Sequence, residues 1–249
     1  MMMFDTEGVV LAALIFVAAM LYASVGHAGA SGYLAAMALF GVAPEVMKPT
    51  ALTLNILVAL IATFKFYRVG AFSWRIFLPL AAGSVPLAWL GGMLVLPGHY
   101  YKPLVGVVLV YAAWASLKRA SRPPDAALRT PSSALLFACG AALGLLSGLT
   151  GVGGGIFLSP LLLFLRWAEV RVISGIAAAF ILLNSIAGLL GVIRVAPELP
   201  AALPLWAVAA VAGGFLGAEL GSRRLGSTGI QRALALVLAV AGVKMIATA

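Results

Sequence analysis

Charge, cysteine and histidine are what this chain has least of. Only 9% of its 249 residues are charged, seven of them acidic, and there are two histidines, His27 and His99, and one cysteine, Cys139. A lone cysteine excludes an intrachain disulfide and a cysteine-rich metal cluster. Two histidines without a cluster of acids inside the apolar segments leave no ligand set for a catalytic metal. No cofactor is expected, and an enzyme is disfavoured. No GxxxxGK[ST] phosphate loop occurs either, so ATP or GTP hydrolysis is not the source of energy. What the chain has in abundance is apolar surface. With 63% of residues hydrophobic and a mean hydropathy of +1.13, it is an integral membrane protein.

Apolar runs occupy residues 9–25, 50–66, 76–96, 101–117, 135–150, 173–195, 203–220 and 231–248. Most approach the ~20 residues that cross a bilayer as helix. The formal charge of +9 sits at segment ends, where cytoplasmic loops and anionic headgroups hold basic residues, so no nucleic-acid partner is expected. The start, MMMFDTEGVV, has Asp5 and Glu7 but no early Lys or Arg. It lacks the basic opening of a cleaved secretory signal, and the first apolar segment is expected to be retained.

The polar stretch KRASRPPDAALRTP, residues 118–131, divides one transmembrane domain, 1–249, into repeat one (8–117) and repeat two (132–249). A shift of 124 residues aligns SVGHAGASGYLAAMALFGVAPEVMKPTA with GLTGVGGGIFLSPLLLFLRWAEVRVISG without a gap, matching Gly29 to Gly153, Leu34 to Leu158 and Glu45-Val46 to Glu169-Val170. After each glycine break comes an apolar piece of about a dozen residues, too short to span a ~30 Å core. Each break therefore reads as a re-entrant hairpin tip or an interrupted helix. With re-entrant hairpins and both termini outside, twelve basic residues fall inside (Lys65, Arg68, Arg75, Lys118, Arg119, Arg122, Arg129, Arg166, Arg171, Arg223, Arg224, Arg232) and four outside (Lys48, Lys102, Arg194, Lys244). Eight full crossings give at best nine against seven, so the positive-inside rule prefers re-entrance. The expected fold is all-α and polytopic, with two inverted-topology repeats, each a glycine-broken hairpin plus three transmembrane helices, an architecture of secondary transporters.

Broken backbone at membrane depth persists only where protein or a polar cavity satisfies its N–H and C=O groups. Gly151, Gly153, Gly154 and Gly155, with Gly26 and Gly29 in the first half, let a ligand approach helix-start amides closely, the conditions for an anion nest. Gly213, Gly217 and Gly221 read instead as small-xxx-small packing.

GLLSGLTGVGGGIFLSPLLLFL and GHAGASGYLAAMALFGVAPEVMKPTALTLN, residues 144–165 and 26–55, resemble the two repeats of the sulfite exporter TauE/SafE family. The likeness spans essentially the whole chain. It implies a permease for a small sulfur-containing oxyanion or organosulfonate, such as sulfite, thiosulfate or sulfoacetate, working as an exporter in the inner (plasma) membrane. In place of a full glycine run the first half carries His27, Ala28, Ala30 and Ser31.

Few polar groups remain in the apolar segments, and each is costly enough to need a reason. His27 could donate to an oxyanion or carry a proton. Ser31, Thr50, Asn55, Ser174 and Asn184 complete the candidate binding set, as hydroxyls and amides that either face a ligand or cap and bridge helices. Glu45, Glu169, Lys48 and Arg171 read as surface groups at hairpin exits, Glu219 as an ion-pair partner of Arg223, and Trp74, Trp114, Trp167 and Trp206 as interfacial anchors. The lipid bilayer and a small anion are the expected partners, and a homodimer stays open. The rival readings are an anion channel, a membrane-embedded enzyme and a structural subunit.

Overall fold

The computed structural model describes residues 6–119, 128–194, 199–223, 239 and 242–247. Most of the central loop, the last apolar run up to residue 238, Arg122, Arg224, Arg232 and the side chain of Arg223 lie outside the described residues. Within them the chain is all-helical: α1 (Thr6–Ala23), α2 (Ala30–Leu39), α3 (Pro44–Arg68), α4 (Trp74–Met93), α5 (Gly98–Arg119), α6 (Ser133–Thr150), α7 (Gly155–Phe164), α8 (Val170–Ile193) and α9 (Leu203–Arg223). Local chemistry sets several of these ends. Pro44 opens α3 at a position where its missing N–H costs nothing. Ser132 caps α6 by accepting from the Leu135 amide at 3.3 Å. Six helices, α1, α3, α4, α6, α8 and α9, are long and apolar enough to cross a membrane, whereas α2 and α7 have ten residues each, ~15 Å of helix.

Helix lengths recur. The first four helices run 18, 10, 25 and 20 residues and α6 to α9 run 18, 10, 24 and 21. The glycines before the short helices also correspond. Gly26 and Gly151 have φ 78°, and Gly29 (112°) and Gly154 (79°) are the residues before α2 and α7. Each second-half position is 125 after its counterpart (26 and 151, 29 and 154, 30 and 155), one more than the gapless alignment. At the next helix starts, Pro44 and Val170, the shift is 126, so Thr50 and Ser174, 124 apart, do not hold the same helix position. The single-residue offset was hidden because the aligned segments are runs of small and apolar residues, which match themselves almost as well one step away.

Packing is exchanged between halves. Helix α1 lies along α9 and α6 along α4, while α3 and α8 pack on each other at the centre, α3 also touching α9 and α8 touching α4. The outer pairs approach to backbone contact. Gly213, Gly217 and Gly221 on α9 face the carbonyls of Phe16, Met20 and Ser24, and Gly140, Gly144 and Gly148 on α6 face those of Leu80, Ser84 and Ala88. Both rows have the four-residue spacing of one helix face, so the small-xxx-small reading of α9 holds. Alanine at Gly217 is expected to cost about 1–3 kcal/mol by overpacking, read as a lower thermal midpoint in detergent, and alanine at Gly221 to add to it. Unchanged midpoints for both would mean that α1 and α9 are not held at backbone contact.

Two side-chain assignments change. Trp74 and Trp114 are exposed as expected of anchors, but Trp167 and Trp206 are buried, and Trp206 Nε1 donates to the Gly8 carbonyl at 3.3 Å. Glu219 pairs with Lys65 of α3, tying α9 to its neighbour across the bundle.

Candidate functional site

At both breaks the chain turns back on itself. After α1, Ser31 Oγ donates to Tyr22 OH at 2.7 Å and Gly32 rests on Ala18 and Tyr22, so α2 returns along α1. After α6, Gly154 comes back beside Ser147 and Leu143. These are hairpins, not helices continuing across a gap. Positive φ at Gly153 (82°) and Gly154 makes the second turn possible, since an L side chain there is strained.

The two hairpins meet. His27 Nε2 lies 3.1 Å from the Gly155 carbonyl and 3.1 Å from Ser159 Oγ, and Nδ1 lies 3.2 Å from the Val25 carbonyl. From α3, Asn55 Nδ2 donates to the Val152 carbonyl at 3.3 Å and to Ser185 Oγ of α8 at 3.4 Å. Helix α8 closes the far side: a β-carbon at Gly153 would lie 2.7 Å from Asn55 Nδ2, 2.8 Å from Ile181 and 3.2 Å from Ser185 Oγ, and one at Gly154 would lie 2.8 Å from Phe180. His27, Asn55, Ser147 and Ser185 are all buried.

These bonds orient peptide planes. A trans peptide points its C=O and its N–H in opposite directions, so Asn55 holding the Val152 oxygen aims the Gly153 N–H away from Asn55. A hydrogen bond from His27 to the Gly155 oxygen does the same for the Ile156 N–H. The amides of residues 153–156 have no protein acceptor among the described residues, and those of residues 29–31 at the first break likewise have none. Ser147 Oγ and Thr50 Oγ1 are also buried without a protein partner. The second break is thus a buried cluster of N–H and O–H donors, suited to an anion.

Not every candidate joins it. The structure brings together His27, Asn55, Gly153, Gly154 and Gly155. Gly26 packs on the backbone of Ser174, Gly29 on the Tyr33 ring, and Gly151 closes α6 against Lys48. Ser31 is turned to Tyr22, and Ser174 Oγ donates to its own helix at the Val170 carbonyl, 3.1 Å away. Asn184 Nδ2 likewise donates within α8, to the Phe180 carbonyl at 2.8 Å. Ser147, Ser159 and Ser185 join the site without being marked in the sequence. Each is a single hydroxyl in an apolar helix, and the only local hint was position: one turn before the glycines, one turn after them, and beside Asn184.

Lys48 is not the surface group that its place at a hairpin exit suggests. It is buried, 8% exposed, and its Nζ donates to the carbonyls of Gly91 and Gly92 at 3.0 Å and of Leu94 at 3.2 Å, at the end of α4. Glu45, one turn earlier, is exposed as expected.

Among the described residues, six helices long and apolar enough to cross a membrane make this a multi-pass membrane protein, and its likeness to membrane transporters gives its class. The sequence pattern of the Sulfite exporter TauE/SafE family matches residues 11–245, and the chain belongs to that family. The protein named "Probable membrane transporter protein y4hK" of Sinorhizobium fredii (strain NBRC 101917 / NGR234) is 42% identical over 245 residues, covering 97% of this chain and 99% of that one. No solved structure matches.

Proposed function

We propose that this chain is a secondary transporter that exports a small sulfur-containing oxyanion or organosulfonate, such as sulfite, thiosulfate or sulfoacetate, across the plasma membrane by alternating access. Two inverted repeats, 8–117 and 132–249, provide the architecture, with residues 118–131 in the cytoplasm. The recurring helix lengths, the exchanged packing of α1 on α9 and α6 on α4, and the family's name support this reading.

The observation that carries it is the turn at residues 153–156, where amides without a protein acceptor lie buried beside the Ser147 hydroxyl. Such donors replace the hydration shell of an oxyanion without presenting a fixed full charge, so the anion is bound but can leave. Asn55 and His27 are positioning residues: Asn55 holds the Val152 carbonyl, and His27, when its Nε2 carries a hydrogen, holds the Gly155 carbonyl, so that the following N–H groups stay turned to the anion. An interior-negative potential drives an anion outward with ~2.3 kcal/mol per charge per 100 mV, and export needs no hydrolysis.

The test is thermal stabilisation of the purified protein by sulfite, thiosulfate, sulfate, sulfoacetate, taurine and phosphate, followed by flux in proteoliposomes. Stabilisation by one or more of the sulfur anions and saturable flux with counterflow are expected. Conductive flux without saturation or counterflow would make the protein a channel, and no stabilisation with no flux would overturn the reading.

A further inference from the structure

A second polar feature lies at the end of the bundle where α3 and α5 begin and α4 ends. A cavity of about 120 Å³ opens there, lined among others by Glu45, Lys48, Gly92, Tyr101, Leu149 and Val192. We propose that this cavity is a separate anion site at the outer end of the bundle, in which the charge of Lys48 receives a small oxyanion leaving the second hairpin; the proposal deepens the transport reading and rests on it.

Three observations converge. First, Lys48 is a buried ammonium whose hydrogen-bond partners are all carbonyls, and the ion pair found among the described residues, Lys65 with Glu219, does not involve it. Its charge is therefore not cancelled by a contacting carboxylate. The three carbonyls take all three ammonium N–H groups and the α4 C-terminal dipole favours the cation, but none of these is a counter-ion, so the unit charge at the cavity wall still attracts an anion. Second, the cavity walls beside Lys48 are mostly apolar, including Pro44, Pro49, Leu94, Leu96 and Val192, which weakens screening and lets a unit charge act over several ångströms. Third, the cavity borders the second break. Leu149 lines it, Tyr101 OH donates to the Thr150 carbonyl at 3.1 Å, and a β-carbon at Gly151 would lie 3.2 Å from Lys48 Cγ. An anion beside Lys48 is next to the turn that leads into Gly153. The volume admits an ion of a few heavy atoms or several waters, not a nucleotide.

Glu45 on the rim supplies a control of opposite sign, because it lines the same cavity and makes no part of the α4 cap. The experiment titrates sulfate, thiosulfate and methanesulfonate against full-length wild type, Lys48→Gln, Lys48→Arg and Glu45→Gln, reading half-saturation by thermal shift and by proteoliposome flux. Lys48→Gln keeps at most two of the three donors for α4 and loses the charge. It is expected to raise the half-saturating concentration at least ~10-fold, more for the dianions than for methanesulfonate. Lys48→Arg should stay near wild type, and Glu45→Gln should lower the concentration about twofold. Wild-type half-saturation in both Glu45→Gln and a folded Lys48→Gln would overturn the site, leave Lys48 as a cap alone, and leave the transport reading standing. If Lys48→Gln does not fold, Glu45→Gln decides by itself. A wild-type protein that neither binds nor moves any of these anions would overturn this proposal and the transport reading together.

Discussion

Valine at Gly153 or Gly154 is expected to abolish detectable anion binding and transport. At Gly153 the first added carbon already meets Asn55 Nδ2 at 2.7 Å and Ile181 at 2.8 Å, and at Gly154 it meets Phe180 at 2.8 Å and Ser147 Cβ at 3.3 Å. Valine adds two more carbons to a backbone held at φ 82° or 79°, a conformation that β-branched residues avoid. Pushing Asn55 aside also releases the Val152 carbonyl and with it the direction of the Gly153 N–H. Strain alone cannot be the cause if a control separates them. Gly41 and Gly70 have φ 70° with nothing within 4 Å of a β-carbon, so alanine there carries the strain without the obstruction. Gly41→Ala and Gly70→Ala should lose about 1–2 kcal/mol of stability and keep wild-type affinity, measured as the dissociation constant of the folded fraction. A well-folded Gly153→Val protein with wild-type affinity and rate would reduce the glycine turn to a packing device.

How far the sequence exposes this architecture depends on whether the signal is local. The glycine cluster is a local signal, because four glycines in five residues have no place in a helix interior, and the breaks fall where it puts them. The apolar runs likewise predict the spanning helices, although their length did not show that α1 and α6, at 18 residues, are the long limbs of hairpins whose return limbs, α2 and α7, have ten. Lys48 carries no such signal. Pro44, Glu45 and Lys48 together look like a solvated helix start, and only the arrival of the end of α4, more than forty residues later, buries the ammonium. The same holds for Ser185, which becomes part of the site because Asn55 reaches it from another helix. Such contacts exist only once the two halves have exchanged partners.

That exchange has a mechanical consequence. Each hairpin's long limb is fixed at backbone distance to a helix of the other half, α1 to α9 and α6 to α4, so the limbs cannot slide independently. The turns between limbs are tied by polar bonds, Asn55 of α3 to Val152, Tyr101 of α5 to Thr150 and His27 to Gly155 of the other turn.

His27 is the bond between the two turns, and its protonation should set anion affinity. A neutral imidazole has one N–H, whereas Nδ1 faces the Val25 carbonyl and Nε2 faces both the Gly155 carbonyl and Ser159 Oγ. In the neutral form Nδ1–H donates to Val25 while Nε2 accepts from the Ser159 hydroxyl. In the protonated form Nε2–H donates to Gly155 instead, fixing the peptide plane that aims the Ile156 N–H and adding a positive charge beside the donor cluster. Proton and anion therefore favour each other's binding, and by linkage affinity falls as pH rises and the imidazole loses its proton. From pH ~5.5 to ~8, affinity for thiosulfate, whose own charge is constant over that range, should fall at least ~10-fold, the scale of a unit charge acting across a few ångströms of poorly screened interior. Sulfite is unsuitable as the probe because it gains a proton itself near neutrality. Glutamine at His27 keeps a hydrogen-bond donor and cannot titrate, so its profile should be flat and lie near the wild-type value at high pH. Alanine should weaken binding at every pH, because neither hairpin then holds the other. A His27→Gln protein that follows the wild-type pH profile would place the titrating group elsewhere and leave His27 as a neutral strut between the hairpins.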